Sequence, residues 1–357
     1  MKRKTRKIMV GAVAVGGGAP VSVQSMTNTN TADVEATVAQ IKELEAAGCE
    51  IIRVAVPEMD AATSLGAIKG RINIPLIADI HFDWRLALKA IDEGVDALRL
   101  NPGNIGTRER IKEVVAAAKG NKIPIRIGVN AGSLEKDILS KYGHPTEEAL
   151  VESAMRHVGI LEDLGFDAIK ISLKASSVPL TIRSYKLLAE KVDYPLHIGI
   201  TEAGTLFSGT IKSAVGLGAL LAEAIGDTLR VSITGDPVDE VRVGWEILKA
   251  LELRQRGVNI ISCPTCGRLK FDCAAVASAL EERLAHIEEP MNVAVMGCVV
   301  NGPGEAVESD VGVAGGDGVG LIYVGGRAVK KVSEDEIIEV VAAEVDRIIK
   351  EKKAALH

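Results

Sequence analysis

Short runs of β-branched residues alternate with longer helical patterns along the first two-thirds of the chain. Eight such runs are present, and they begin at Val21, Ile51, Pro75, Ala97, Pro124, Asp167, Pro195 and Thr228. The amphipathic segments between them often end in glycine, as helices do. Eight strand-then-helix units predict a TIM (β/α)8 barrel. A doubly wound sheet is the alternative, but it would not require eight units.

The pattern changes after the eighth unit, so we predict two domains: residues 1–250 form the barrel and residues 251–357 form a small α+β domain. In the second domain we interpret NIIS and MNVAVMG as strands and VGVAGGDGVGLIYVGG as a hairpin. DCAAVASALEERLAHI and SEDEIIEVVAAEVDRIIKEK have helical periodicity. The glycine-rich stretch lacks the spacing of a phosphate-binding loop, and no strand is followed by the GxGxxG spacing that would indicate a nicotinamide cofactor.

The basic start of the sequence, MKRKTRK, is followed by the apolar run IMVGAVAV, a weak match to a signal peptide. The run is short and its valines stand next to glycines, so we favour a hairpin. No apolar stretch approaches the roughly 20 residues of a transmembrane helix. We therefore expect a cytoplasmic protein.

Composition narrows the function classes further. The 357 residues are 47% hydrophobic but only 3% aromatic, which predicts a core of Val, Ile, Leu and Ala. The net charge of -6 argues against a protein whose whole surface binds nucleic acid or an anionic membrane.

Cationic side chains recur at alternate positions within the predicted strands, where they would point into the barrel. They are Arg53, Arg99, Arg126, Lys170, His197 and Arg230. Other polar residues continue the same faces towards the carboxyl ends of the strands, where barrel enzymes place their active sites: Asp79, His81, Asn101, Asn130, Ser172, Thr201, Glu202, Ser232 and Thr234. Only two acids, Asp79 and Glu202, evidently face these cations. The excess predicts a phosphate or diphosphate site, although each arginine could instead pair with an acid on a helix.

Roles for single residues stay open at this point. His81 and His197 are candidates for acid–base chemistry or for ordinary hydrogen bonding, and Lys170 suits a Schiff base as well as a phosphate clamp. Glu202 is the better acid–base candidate. The remaining histidines lie in loop or helix contexts typical of structural residues: His144, His157 and His286.

Four of the five cysteines fall within 36 residues: Cys263, Cys266, Cys273 and Cys298. Their spacing suits a structural zinc site or an iron–sulfur cluster, with three or four of the thiols as ligands. Cys273 could equally be a small buried residue, and the isolated Cys49 is interpreted as a core thiol. A cationic barrel mouth favours the cluster, because a cluster can deliver electrons to a substrate held there.

Seven motifs spread over nearly the whole chain are specific: VQSMTNTNTADVEAT, LRLNPGNIG, RIGVNAGSL, ISLKAS, HIGITEAG, SCPTCGR and MGCVVNGPGE. Together they resemble those of the 4-hydroxy-3-methylbut-2-en-1-yl diphosphate synthase family of the methylerythritol phosphate route to isoprenoids, in its two-domain bacterial form. The resemblance implies a TIM barrel followed by a [4Fe-4S] domain. It also implies reductive ring opening and dehydration of 2-C-methyl-D-erythritol 2,4-cyclodiphosphate.

The same resemblance implies roles for particular residues. The cluster ligands would be Cys263, Cys266, Cys298 and Glu305, which leaves Cys273 out. The substrate contacts would be Arg53, Arg99, Arg126, Asn130, Lys170 and Ser232. Glu202 would act as acid–base with His197 beside it, while Asp79 and His81 would lie at the pocket. The family is dimeric, with the cluster domain of one subunit over the barrel of the other. It needs an external electron donor, ferredoxin or flavodoxin.

Two other functions compete with this one. The first is a redox-free phosphosugar lyase or aldolase with Lys170 as Schiff base and a four-thiolate structural zinc. The second is a non-catalytic protein whose zinc ribbon binds RNA, which would need basic and aromatic residues around CPTCGR. Only Phe271 lies near that motif.

Overall fold

The computed structural model describes residues 3–300, 302–316 and 318–354. The chain divides into two compact units, Met1–Arg254 and Gln255–His357. Each unit has a hydrophobic core of its own, rich in Val, Ile, Leu and Ala.

A hairpin of two short strands, β1 (Ile8–Val10) and β2 (Val13–Val15), precedes the barrel. Its buried side chains share one apolar cluster with residues near the amino ends of three barrel strands: Ile8, Val10, Val15, Ile51, Ile77 and Ala97. The run IMVGAVAV therefore forms the hairpin that its glycines predict, and it covers the amino-terminal end of the barrel.

The first unit contains eight parallel strands. They are β3 (Ser22–Met26), β4 (Ile51–Ala55), β5 (Leu76–Asp79), β6 (Ala97–Arg99), β7 (Ile125–Asn130), β8 (Ile169–Lys174), β9 (His197–Ile198) and β10 (Thr228–Leu229). Strands β3 to β8 pair in chain order, and β10 pairs with both β3 and β9. A single bridge between Ile171 and Leu196 connects β8 to the residue before β9. The predicted (β/α)8 barrel is confirmed.

Helices surround the strands, as the amphipathic segments predict. They are α1 (Val34–Ala46), α2 (Met59–Lys69), α3 (Trp84–Asp92), α4 (Arg108–Gly120), α5 (Lys136–Tyr142), α6 (Glu147–Asp163), α7 (Val178–Ala189), α8 (Leu206–Ala222) and α9 (Pro237–Ala250). Several start at a residue whose side chain accepts a backbone N–H of the first turn, such as Asp33 in α1 and Thr146 in α6.

Period-two alternation divides each strand between two environments. In β8, Ile169, Ile171 and Leu173 pack with the surrounding helices in the main core. The intervening Lys170 and Lys174 are therefore directed into the barrel. The other strands repeat this division, so the barrel interior above the hairpin is lined by polar and charged side chains.

The second unit is a five-stranded sheet covered by helices. Its elements are β11 (Val258–Ser262), α10 (Cys273–Leu284), β12 (Met291–Met296), α11 (Gly302–Glu308), β13 (Val311–Gly316), β14 (Val319–Val324), β15 (Arg327–Ser333) and α12 (Ile337–Ala354). The strands are ordered β11-β12-β13-β14-β15. The first three are parallel, and β14 and β15 add antiparallel.

The sequence analysis missed two elements of this unit. Strand β15 lies at the sheet edge, and of its seven residues only Val332 is buried, so it carries no apolar alternation. Helix α11 begins within the Gly/Pro segment of the motif MGCVVNGPGE; Pro303 is tolerated there because the first helical turn needs no N–H donor at that position. No helix in the described part of the chain has the length and apolar character to span a membrane.

Candidate active site

Strand register gathers basic side chains at one level of the barrel interior. Arg99 on β6 is registered opposite Arg126 on β7, and Arg126 is opposite Lys170 on β8. Asp79 on β5 is opposite Arg99. All four residues are buried. Since burying a charge without a partner costs free energy, the ion pairs decide what this layer can do.

On one side of the barrel a carboxylate joins two arginines. Asp79 Oδ2 lies 3.3 Å from Arg53 Nη1, and Asp79 Oδ1 lies 3.1 Å from Arg99 Nη1. Burial opposes ionisation of Asp79, but the nearby Arg53 and Arg99 outweigh it and lower its pKa to about 2. Asp79 is therefore ionised at neutral pH and fixes both guanidinium groups.

His81 lies beside this group at the mouth, the end of the barrel where the strands finish. Its Nε2 is 3.4 Å from Asp79 Oδ1, and Arg99 Nη1 is 3.0 Å from the same ring nitrogen. Partial burial and the charge of Arg99 lower the His81 pKa. A neutral ring can accept from Arg99, and its side chain is about half exposed, with 54% accessible.

A second buried carboxylate, Glu240, pairs with Arg230. Arg230 donates from Nε and Nη2 to Glu240 Oε2 at 3.2 and 3.1 Å. Glu202, the second acid that the sequence predicts to face the cations, is exposed, whereas Glu240, which the sequence analysis did not name, is 4% exposed. For Arg230, the alternative of an ion pair with a helix residue is the correct one. We call Arg53, Asp79, Arg99, Arg230 and Glu240 the paired arc.

The opposite side of the barrel has basic groups without acids. Within the described residues, no hydrogen-bond partner is found for Nε and Nη1 of Arg126, Nζ of Lys170, or either ring nitrogen of His197. Lys174 makes no ion pair there either; its Nζ packs 2.8 Å from the position that a Cβ would take at Gly199. We call Arg126, Lys170, Lys174 and His197 the unpaired arc.

Burial and mutual repulsion lower the pKa of every member of the unpaired arc. The pKa of Lys170 falls to about 7, first through burial and then through Arg126 and Arg53. The pKa values of Arg126, Lys174 and His197 are lowered well below their ordinary values for the same reasons. An anion placed among these groups would supply the missing countercharge. The arrangement therefore fits phosphate or diphosphate oxygens.

The remaining predicted site residues lie around the mouth. Asn130 ends β7 and is registered opposite Lys174. Ser232 is half-buried after β10. Glu202 follows β9 with a φ of +53°, a left-handed conformation that is uncommon for residues other than glycine. Such backbone strain is concentrated at functional sites.

Other polar residues named from the sequence are structural. Asn101 exchanges hydrogen bonds with the backbone of Gly128, donating at 3.0 Å and accepting at 2.9 Å. Ser172 donates to Ile127 O. His157 is buried, accepts the Gly103 N–H and lies 3.1 Å from Glu135. His144 and His286 are exposed.

Sequence reasoning missed two residues of the barrel interior. Lys174 follows Lys170 by four positions, so the period of two already places it on the same side of β8. Glu240 left no such signal, because it belongs to helix α9 and reaches the barrel only through the tertiary packing.

In the second unit, cysteines gather at the carboxyl edge of the sheet. Cys263 follows β11, and Cys298 follows β12, its parallel neighbour. Cys263 Sγ accepts the Gly297 N–H at 3.3 Å and lies 3.9 Å from Cys273 Sγ. Cys266 is exposed, and Cys49 is a buried thiol of the barrel core. Glu305 lies on α11, directly after the Cys298 loop.

These residues fit an iron–sulfur cluster by their chemistry. Thiols are the ligands that iron–sulfur clusters take, and backbone N–H donors to sulfur accompany them. The Gly297 amide already points at Cys263 Sγ, and a Cβ at Gly297 would lie 2.2 Å from a Leu269 methyl, so a larger residue there would have to displace the Leu269 side chain. Among the described residues, no three His, Cys, Asp or Glu side chains are close enough together to hold a metal ion.

Comparison with protein families gives two matches that together cover most of the chain. The GcpE TIM-barrel domain matches residues 5–245, and the GcpE protein C-terminal domain matches residues 259–347.

Curated relatives match along nearly the full length. A protein of Geobacter sulfurreducens is 66% identical over 352 residues, covering 99% of this chain and 100% of the relative. One of Caldanaerobacter subterraneus subsp. tengcongensis is 61% identical over 352 residues, covering 99% of each. Both are named 4-hydroxy-3-methylbut-2-en-1-yl diphosphate synthase (flavodoxin).

Among solved structures, Plasmodium falciparum HPPK-DHPS superposes with a TM-score of 0.50 and 13% sequence identity, over 70% of this chain and 50% of that one. At this identity the likeness concerns the fold alone.

Proposed function

This chain belongs to the GcpE family, and from that premise we propose that it converts 2-C-methyl-D-erythritol 2,4-cyclodiphosphate to 4-hydroxy-3-methylbut-2-enyl diphosphate in isoprenoid biosynthesis. The product is the one that the names of its relatives state. The reaction consumes two electrons and two protons, opens the ring at a C–O bond to phosphate and releases one water. It is an oxidoreductase reaction.

The observation that carries this proposal for the barrel is the unpaired arc. Arg126, Lys170 and Lys174 are buried basic groups, and no hydrogen-bond partner among the described residues is found for Nε and Nη1 of Arg126 or Nζ of Lys170. Asp79 holds Arg53 and Arg99 beside them. We propose that these five cations bind the cyclic diphosphate, with Asn130 and Ser232 as neutral donors. Guanidinium and ammonium groups match phosphate oxygens in charge and geometry.

Proton transfer is assigned to groups at the mouth. Glu202 is exposed in the loop after β9, and its backbone has the left-handed conformation described above. We propose that it delivers a proton to the departing hydroxyl. His197 is neutral without ligand, because burial and the surrounding cations lower its pKa, and a bound anion would favour its protonation. Asp79 orients Arg53 and Arg99, and His81 completes the rim.

We propose that Cys263, Cys266, Cys298 and Glu305 hold a [4Fe-4S] cluster. When bound, such a cluster supplies the two electrons one at a time. The names of the relatives specify flavodoxin, so we propose a flavodoxin as the external donor, with ferredoxin as the other candidate. We further propose a cytoplasmic homodimer as the working form.

Turnover is the direct test. Anaerobically purified protein with a chemical one-electron donor should convert the cyclic diphosphate to the allylic diphosphate, and metal analysis should find iron with sulfide. Cys298→Ser should lose both the cluster absorbance and turnover, whereas the matched variant Cys49→Ser should keep both.

Glu305→Ala should impair turnover more than folding. Full activity of Glu305→Ala with an unchanged cluster spectrum would reject its role as a ligand.

The redox-free lyase is not favoured by the comparisons, and the same experiment separates it. Stoichiometric zinc held by four thiolates, together with borohydride trapping of substrate on Lys170, would support the lyase and exclude the reductase.

A further inference from the structure

We propose that Glu240 is a positioning residue for this reaction, acting through Arg230 and through the loop that carries Ser232. The inference rests on the proposed function, because it assigns Ser232 and the cationic interior to the substrate. Glu240 belongs to the first turn of α9, outside the ring of strands, and its carboxylate is buried.

The Glu240 carboxylate connects helix α9 to two other segments, strand β3 and the stretch that follows β10. It accepts from both Nε and Nη2 of Arg230, which follows β10. Oε2 also lies 3.3 Å from Ser25 Oγ on β3, and Oε1 accepts the Ile233 N–H at 3.0 Å. Ile233 is the neighbour of Ser232, so the same carboxylate fixes the guanidinium and the backbone of the proposed substrate loop.

The contact extends to the loop of the proposed proton donor. Thr234 N donates to Gly204 O at 2.9 Å, and Thr205 and Thr234 form an isolated bridge. Gly204 lies two residues after Glu202. Fixing Ile233 therefore also fixes the backbone next to the segment that carries Glu202, so Glu240 acts on the Glu202 loop indirectly, through Ile233 and Thr234.

A carboxylate is required here because every neighbour is a donor. Arg230, Ser25 and Ile233 direct their hydrogens at the two oxygens. Glutamine has one oxygen and one NH2 group, so one side of its amide would face donors with hydrogens of its own. It would also leave the charge of Arg230 uncompensated in a buried site. Glu240→Gln is therefore a nearly isosteric change that breaks the arrangement.

The experiment uses the cluster-loaded enzyme and measures kcat and KM for the cyclic diphosphate, together with calorimetric binding of inorganic pyrophosphate. We expect Glu240→Gln to lower kcat/KM by about 100-fold, as losing hydrogen bonds to charged groups does. We expect KM to rise because Arg230 and Ser232 are no longer held in place for the substrate. We expect kcat to fall because the loop of the proposed proton donor, Glu202, is less well fixed. Iron content and the cluster spectrum should equal those of the wild type.

Three comparisons make the result specific. Glu246→Gln, on the same helix but with an exposed carboxylate, should leave kcat and KM unchanged. Glu240→Asp keeps the charge and should give intermediate kinetics, and it replaces Glu240→Gln if that variant does not fold. In an Arg230→Met background, Glu240→Gln should raise KM less than in the wild type.

Wild-type kcat and KM in both Glu240 variants would overturn the inference, as would a loss explained entirely by less folded enzyme. Failure of the proposed function gives a different result: the wild type itself would not convert the cyclic diphosphate. Pyrophosphate binding to the wild type and to Glu240→Gln would then still measure whether Glu240 organises the cationic site.

Discussion

The two arcs of the barrel interior are built from similar side chains, but they differ in whether the chain supplies the countercharge. In the paired arc, Asp79 and Glu240 neutralise two of three arginines and hold all of them in place. In the unpaired arc, Arg126, Lys170 and Lys174 face one another and His197, and among the described residues no hydrogen-bond partner is found for Nε and Nη1 of Arg126, Nζ of Lys170 or the ring nitrogens of His197. The acids Glu240 and Asp227 also act on the lysines, but more weakly than burial and the neighbouring cations.

This difference separates two roles for buried charge. A paired guanidinium is fixed before the ligand arrives, so the ordering cost of binding is small. An unpaired cation is destabilised in the free protein by desolvation and repulsion, and a bound anion relieves both. The barrel therefore combines two groups of cations. Those of the paired arc are held in place before the ligand binds, and those of the unpaired arc favour binding of an anion.

The largest effect is expected for the centre of the unpaired arc. Arg126→Met keeps the length of the side chain but removes its charge and donors. We expect the affinity for inorganic pyrophosphate and the kcat/KM for the cyclic diphosphate to fall about 1000-fold, corresponding to about 4 kcal/mol. Calorimetry and anaerobic turnover measure these values. An unchanged pyrophosphate affinity would show that the unpaired arc does not hold the anion.

A smaller effect, now on the free energy of unfolding, is expected when the paired arc loses one of its two acids, Asp79. Asp79→Asn leaves Arg53 and Arg99 without a carboxylate, and we expect the free energy of unfolding to fall by about 3 kcal/mol. Denaturant unfolding measures the loss. Saturating pyrophosphate should recover part of it, because the anion can replace the carboxylate as countercharge. Equal stability of variant and wild type would place Asp79 outside any pairing role.

The smallest effect has the opposite sign. Lys170→Met removes a buried base, and we expect the ligand-free protein to gain about 2 kcal/mol at pH 7. The folded protein releases this proton near pH 7, whereas an unfolded lysine keeps it to about pH 10. Since the unfolded state binds more protons between these values, wild-type stability rises with pH across that window.

The Lys170→Met variant should lack this part of the rise. Unfolding free energies from pH 6 to 10 test the sign, and Lys186→Met, which removes a partly exposed lysine of α7 paired with Glu223, is the control. A destabilised Lys170→Met protein with an unchanged pH slope would contradict the description of Lys170 as an unpaired base.

Local sequence patterns were sufficient to predict a residue's position where that position depends only on the strand to which the residue belongs. The alternation in β4, β6, β7 and β8 identified Arg53, Arg99, Arg126 and Lys170 as interior residues, and the eight repeats determined the fold. The glycines of residues 311–320 predicted the hairpin of β13 and β14. Each of these follows from a spacing of two residues or from a turn, which a sequence displays directly.

The sequence by itself therefore determined the barrel, its cationic interior and the cysteine-rich second unit. Only the tertiary structure decided which cations have acids. Asp79 pairs with two arginines of its neighbouring strands, Glu240 reaches Arg230 from a helix, and Glu202 stays exposed. The physical reason is that charge pairing depends on distances of a few ångströms between residues far apart in sequence, and on the burial that makes an unpaired charge costly.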